Sequence, residues 1–240
     1  MSDLECQCIA SWQNHSPDYK VKLWNEENFD VNSLSFTKEA YRLGKYAFVS
    51  DVARLFALKQ EGGIYLDTDM LMLKPISDLL TDDIFLGDHE YGKIGLGIIG
   101  SVKNNLLINK VLDAYKELSF DLYKPKLIPA LFDELLEVER KNLKIYPPDF
   151  FYPLPFKSKG QDFSLFLTQN SYAVHLWNHS WKDEFSLLRE GRFIKSFYLF
   201  MNHLAFNPIS YGNKLYFKRY IIEFKRNIKR YLKLKWIVKS

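Results

Sequence analysis

The chain has 240 residues, 47% of them hydrophobic and 16% aromatic, with a formal net charge of +4. That length and composition suit one large domain, or a domain with an appendage, and exclude global disorder. No apolar run approaches the ~18 residues that span a bilayer, and no basic start followed by an apolar stretch marks a secretory signal.

In chain order, the alternation in Tyr19-Lys-Val-Lys-Leu-Trp24 predicts a strand, and residues 37–43 predict a short helix opening at Thr37. From Tyr46 to Gln60 the residues Ala47, Phe48, Val52, Leu55, Phe56 and Leu58 recur at helical spacing. Gly62 and Gly63, free to take positive φ, stop that helix. Ile64-Tyr-Leu66 then reads as a buried strand, and Met70 to Leu73 continues apolar as far as Pro75. Residues 94–100 predict a strand carrying three glycines, and residues 104–118 and 126–141 predict helices. Four prolines between Tyr146 and Phe156 predict an extended or turning connection there, without helix. Tyr172 to Trp177 reads as a strand that leads into Asn178-His-Ser-Trp181. Strands alternating with helices predict an α/β layered sheet.

Charge is unevenly distributed. Residues 211–240 hold ten Lys and Arg against a single acid, Glu223, which leaves 23 basic and 28 acidic residues in the rest. Within that tail Phe217, Tyr220, Ile221, Phe224, Ile228, Tyr231 and Leu232 fall on one stripe of a helix predicted over 215–237, with Lys and Arg on the other face. This pattern suits an interfacial helix on an anionic membrane surface; the plain alternative is a helix packed on the body with a solvated basic face. A nucleic-acid role is not expected, since charge is its only support. Cys6 and Cys8 are too close to staple a fold and lack a Cys or His set at zinc spacing, which fits a reducing cytoplasm.

The chemistry concentrates in Gly62-Gly-Ile-Tyr-Leu-Asp67-Thr-Asp69. Side chains two apart on a strand share a side, so Asp67 and Asp69 are expected to project together from a strand end, with Thr68 turned away. Two adjacent carboxylates repel unless a cation or proton lies between them. A hard divalent cation completed by water and substrate phosphates answers that need. On the preceding helix Asp51 and Arg54 are three apart and share a face. If that helix packs beside Asp67, the pair borders the same site, with Arg54 suited to a phosphate or sugar hydroxyl; otherwise it is an ordinary surface ion pair.

Ser50-Asp51-Val-Ala-Arg54, Leu-Phe-Ala-Leu and Gly62-Gly-Ile-Tyr-Leu-Asp67-Thr-Asp69 together resemble the DXD-containing sugar-transfer region of glycosyltransferase family 32, which includes capsule and lipopolysaccharide glycosyltransferases. Cys8-Ile-Ala-Ser-Trp12, Pro17-Asp-Tyr19, Trp24-Asn25, Lys45 to Val49, Gly97 to Ser101 and Val174-His175 through Ser180-Trp181 follow the family's order, so the resemblance covers roughly residues 5–181. It implies a GT-A-like mixed sheet flanked by helices, a UDP- or GDP-sugar donor, Mn2+ (or Mg2+) and retention at the anomeric carbon. By position it implies that Asp69 binds the metal, that Asp67 contacts ribose and supports the metal shell, and that Asp51 and Arg54 hold the donor sugar. His175, by default a hydrogen-bonded core residue, is implied as a metal or diphosphate contact, with Asn178 and Trp181 as substrate contacts from the same loop. Gly97 either lets backbone approach the sugar or serves tight sheet packing.

The family's opening strand, which precedes the region matching residues 5–12 and helps bind the nucleobase, is not in this sequence. The expected organisation is therefore a GT-A-like domain over 1–185 lacking that strand, and a helical extension over 186–240 with a basic amphipathic tail from about 211. The expected function is a metal-dependent retaining hexosyltransferase of surface polysaccharide synthesis, acting on a glycan or lipid-linked glycan and peripheral to the inner face of the cell membrane. The alternatives are an inactive truncated copy that binds sugar or membrane, and an aspartyl phosphoryl transferase. The last usually has Thr or Val two residues after its second Asp, where Leu71 stands.

Overall fold

The computed structural model describes residues 1–90, 92–139, 143–178 and 182–237, except for the side chains of 137–139 and 233–237. The chain divides into two units, the first comprising residues 1–41, 47–120 and 126–178, the second residues 42–46, 121–125 and 179–240.

In the first unit α1 (Asp3–His15) opens with a capping box, Ser2 and Glu5 each accepting from the other's backbone N–H. Helices α2 (Ser35–Arg42) and α3 (Tyr46–Glu61) follow, close to their predicted bounds. Gly62 and Gly63, at φ of 70° and 94°, end α3 and turn the chain into β1 (Gly63–Leu66). Next come β2 (Met70–Met72), β3 (Ile84–Glu90), β4 (Lys93–Ser101), α4 (Leu106–Lys116), α5 (Ile128–Glu139), β5 (Lys144–Tyr146), α6 (Pro148–Phe151) and β6 (Ala173–His175).

The main sheet has the order β1-β4-β3-β5, antiparallel except for the parallel β3–β5 pair. The α/β class and the mixed sheet flanked by helices are thus as expected from the sequence. Among the described residues β1 pairs with β4 alone. A separate two-stranded sheet pairs β2 with β6 and sets Met70 opposite His175. Helix α1 is tied to β2: Trp12 Nε1 donates to the Met70 carbonyl at 2.7 Å, and Met72 N–H donates to Ser11 Oγ at 2.9 Å. The core beneath these sheets is aromatic, with Phe85, Phe151, Tyr146 and Tyr152 packed around Met70, Met72 and Ile98.

Two local expectations are corrected, and one left open is decided. Residues 19–24 form no strand; their alternating Tyr19, Val21 and Leu23 are all exposed, so no core face rewards extension. The proline-rich segment contains one helical turn, α6, because Pro148 sits in its first turn, where no backbone donor is required. The strand glycines make room for rings. A Cβ on Gly100 would lie 1.9 Å from the Phe85 ring, and one on Gly95 would lie 2.5 Å from Tyr152, so both serve packing.

The second unit contains α7 (Glu184–Arg189), α8 (Phe193–Phe206), α9 (Pro208–Tyr211) and α10 (Lys214–Ile237). Helix α7 runs across the boundary expected at residue 185. The apolar stripe expected on α10 divides: Tyr220 is buried with Phe200 stacked on it at 4.1 Å, and Phe193 meets Phe224 and Tyr231 edge-on, while Phe217, Tyr231 and Leu232 are exposed. At the centre lies Glu184, with its side chain fully buried. It accepts from the Tyr216 hydroxyl and faces His203 Nδ1 at 3.3 Å and Lys45 Nζ at 3.5 Å.

Burial alone would raise the Glu184 carboxyl, but His203, Lys45 and Tyr216 outweigh it and bring it from 4.5 down to about 2. A carboxylate held low stabilises the folded unit at any pH above its ordinary value, and that contribution fades as pH falls from 4.5 through about 2. It amounts to on the order of 3 kcal/mol. Urea midpoints measured at stepped pH are expected to fall across that window, and Glu184→Gln is expected to flatten the fall while lowering stability at neutral pH.

Candidate active site

The site forms where β1 runs into β2. Asp67 N–H donates to the Gly97 carbonyl at 2.7 Å, which extends the β1–β4 ladder by one residue. The chain then turns, Met70 N–H donating to the Asp67 carbonyl at 2.9 Å. Asp67 and Asp69 therefore do not share the face of a continuous strand; a tight turn brings their carboxylates together. The β2–β6 pairing adds the third member. With Met70 opposite His175, Leu176 N–H reaches the Asp69 carbonyl at 3.0 Å and Asn178 N–H reaches Asp69 Oδ2 at 2.7 Å.

His175 Nε2 lies 3.1 Å from Asp69 Oδ1 and 3.8 Å from Asp67 Oδ2. One ligand atom from each of these three residues falls within 4.8 Å of the others. The second oxygen of each carboxylate is committed to the protein. On Asp69 it takes the Asn178 N–H, and on Asp67 it takes the Tyr65 hydroxyl at 2.5 Å and faces Arg54 Nη1 at 3.4 Å. Two carboxylate oxygens and an imidazole nitrogen thus converge, while the outer oxygens fix their directions. This is a donor set that fits Mn2+, and by the carboxylates Mg2+. Asp67, Asp69 and His175 would hold the cation, which when bound offsets charge on a leaving diphosphate.

Burial raises the Asp69 carboxyl, but the His175 imidazole and the Asn178 N–H more than offset this and hold it below its usual range. Asp69 thus stays an anion.

Arg54 is the scaffold of this arrangement. Its Nη2 meets Asp51 Oδ1 at 2.9 Å, Nη1 donates to the Leu96 carbonyl at 2.8 Å, and the guanidinium lies 4.5 Å over the Tyr65 ring. With Arg54 9% and Asp51 14% exposed, the pair is no surface ion bridge, and it borders the Asp67 carboxylate. Burial raises the Asp51 carboxyl to about 6, against the pull of Arg54 and with the push of Asp67.

Of the residues expected from sequence, Asp51, Arg54, Asp67, Asp69, His175, Gly97 and Asn178 converge here. Asn178 contributes its backbone N–H. Gly97 is a close-approach point: a Cβ there would sit 3.2 Å from both Asp67 Oδ2 and the Tyr152 hydroxyl, and 3.4 Å from the His175 ring. Trp181 lies outside the described residues. Three side chains were missed. Tyr65 is two residues before Asp67 on the same strand, a spacing that was legible. Tyr152, whose hydroxyl accepts from Gly97 N–H at 2.9 Å, and Trp177, which stands edge-on to His175 at 4.0 Å, depend on long-range packing.

Comparison with known proteins finds the following similarities. Residues 2–86 match a family described as the glycosyltransferase sugar-binding region containing DXD motif, and residues 130–199 match the alpha 1,4-glycosyltransferase conserved region. The human alpha-1,4-N-acetylglucosaminyltransferase is 25% identical over 147 residues, which is 54% of this chain and 42% of that protein. Human lactosylceramide 4-alpha-galactosyltransferase is 24% identical over 54% of this chain and 41% of its own length. Glucan organizing enzyme 1 of Cryptococcus neoformans is 29% identical over 56% and 41%. A solved structure, the PaToxG glycosyltransferase, aligns with a TM-score of 0.42 at 21% identity, over 59% of this chain and 66% of that one. Two separate stretches of the chain are thus similar to glycosyltransferase regions, the first to one that contains a DXD motif. The chain spans about two fifths of the length of the three relatives named.

Removing Arg54 leaves two acids at the site without their cation. Arg54→Ala is expected to cost roughly 3–5 kcal/mol in urea unfolding, and Asp51→Asn in the same background to recover part of it.

Proposed function

We propose that the chain transfers a hexose from a UDP- or GDP-sugar to a glycan or lipid-linked glycan acceptor, with retention at the anomeric carbon and with Mn2+ or Mg2+ bound. The observation that carries this reading is the convergence of Asp67, Asp69 and His175 beside the buried Asp51–Arg54 pair. Metal binding is charge-balanced there: Asp67 and Asp69 each keep one oxygen directed inward, and Arg54, Tyr65 and Asn178 N–H hold the other. In this reading Asp51 and Arg54 border the donor-sugar side, and Gly97 leaves room for the Asp67 carboxylate, the Tyr152 hydroxyl and the His175 ring.

One relative supports the lipid-linked acceptor, since its name gives lactosylceramide, and that name and the alpha-1,4-N-acetylglucosaminyltransferase's both specify α-linked transfer. A role in surface polysaccharide assembly, at a membrane reached through the basic residues 211–240, belongs to the same proposal. The intact set of ligands favours an enzyme over a binding-only copy.

Release of nucleoside diphosphate from a panel of UDP- and GDP-sugars, with and without Mn2+, tests the reading. Turnover is expected to need the metal, and Asp69→Ala is expected to lower it by at least ~10²-fold. Wild-type rates in that variant would overturn the assignment, and absence of any nucleotide-sugar binding would favour the inactive copy.

A further inference from the structure

Helix α8 presents an unusual surface. Its inward side is accounted for: Ser196 is buried and donates to the Glu184 carbonyl at 2.7 Å, and Phe200 stacks on Tyr220. Its opposite side carries Ile194, Phe197, Tyr198 and Met201, spaced three and four apart along one stripe. In a helix on a water-soluble body that stripe is polar. Here Ile194 is 87% exposed and Tyr198 68%, with Phe197 and Met201 about half exposed. The apolar character continues past the helix end through Phe206 at 83% and Ile209 at 91%, and Leu215 at the start of α10 is also exposed.

Charge selects what covers such a surface. From Gly191 through Ile222 there is no Asp or Glu, against five Lys and Arg: Arg192, Lys195, Lys214, Lys218 and Arg219. A second copy offering the same acid-free basic surface would be repelled. An anionic bilayer is complementary in both respects, since aromatic and aliphatic side chains enter the acyl boundary while Lys stems extend to the headgroups. No described helix is long and apolar enough to cross a membrane, so the geometry is that of an element lying in the interface.

We propose that the outer stripe of α8, extended by Phe206, Ile209 and Leu215, is the surface that inserts into an anionic lipid bilayer. This refines the membrane placement proposed above: α8 adds an apolar contact, while the basic residues of α10 supply the attraction. It does not depend on the catalytic reading.

Co-sedimentation of the full chain with phosphatidylcholine vesicles, with and without phosphatidylserine, tests it. Wild type is expected to bind the phosphatidylserine vesicles. Phe197→Ser combined with Met201→Ser is expected to weaken that binding about tenfold or more, with an unchanged circular dichroism spectrum and unchanged donor hydrolysis. A second variant, Ile194→Ser with Ile209→Ser, guards against a local folding defect and is expected to act in the same direction. Undiminished binding by both variants, with loss only when the α10 lysines are neutralised, would overturn the α8 assignment and leave a purely electrostatic tail. A change in oligomeric state with unchanged vesicle binding would overturn it in favour of a second copy on this face.

Discussion

The site is organised by a single electrostatic problem, two carboxylates converging at one turn in a partly buried place. Asp67 and Asp69 would repel, and the fold answers from four directions. Arg54 and the Tyr65 hydroxyl hold the outer oxygen of Asp67, Asn178 N–H holds that of Asp69, and His175 stands between the inner oxygens. These four groups come from α3, β1, β6 and the segment just after β6. Helix α3 lies against the end of β1, β4 provides the Leu96 and Gly97 carbonyls, and β6 pairs with β2 in the register that places His175. Breaking that register would take His175 from the two carboxylates and remove the anchor of Asp69 together.

Much of this was legible in the sequence because it is local. The Gly62-Gly63 stop, the helix before it and the i,i+3 relation of Asp51 to Arg54 follow from backbone freedom and helical period. The convergence of Asp67 and Asp69 was legible in outcome but not in mechanism, since a strand pattern cannot reveal the turn that replaces it. His175 was visible as a residue type in a strand, yet its place opposite Met70 is a pairing between segments over a hundred residues apart. The glycines at 95 and 100 look alike in sequence whether they admit a sugar or a ring, and only the positions of Tyr152 and Phe85 decide. Residues 19–24 misled for a related reason: alternation without a face to bury does not make a strand.

The second unit shows the same limit. Its tail reads as an amphipathic helix on a membrane or on the body, and part of that stripe, Tyr220 and Phe224, meets α8 while Phe217, Tyr231 and Leu232 are exposed. A further exposed apolar surface, Ile194, Phe197, Tyr198 and Met201, lies on α8, a segment for which the sequence predicted no separate element within the helical extension.

The central claim is that Asp67, Asp69 and His175 together hold a divalent cation. Pulsed electron paramagnetic resonance of Mn2+ added to the protein tests it directly. A nitrogen coupling from one bound imidazole is predicted, lost in His175→Ala and retained in His89→Ala. Bound Mn2+ with no imidazole coupling, or a coupling that survives His175→Ala, would contradict the account.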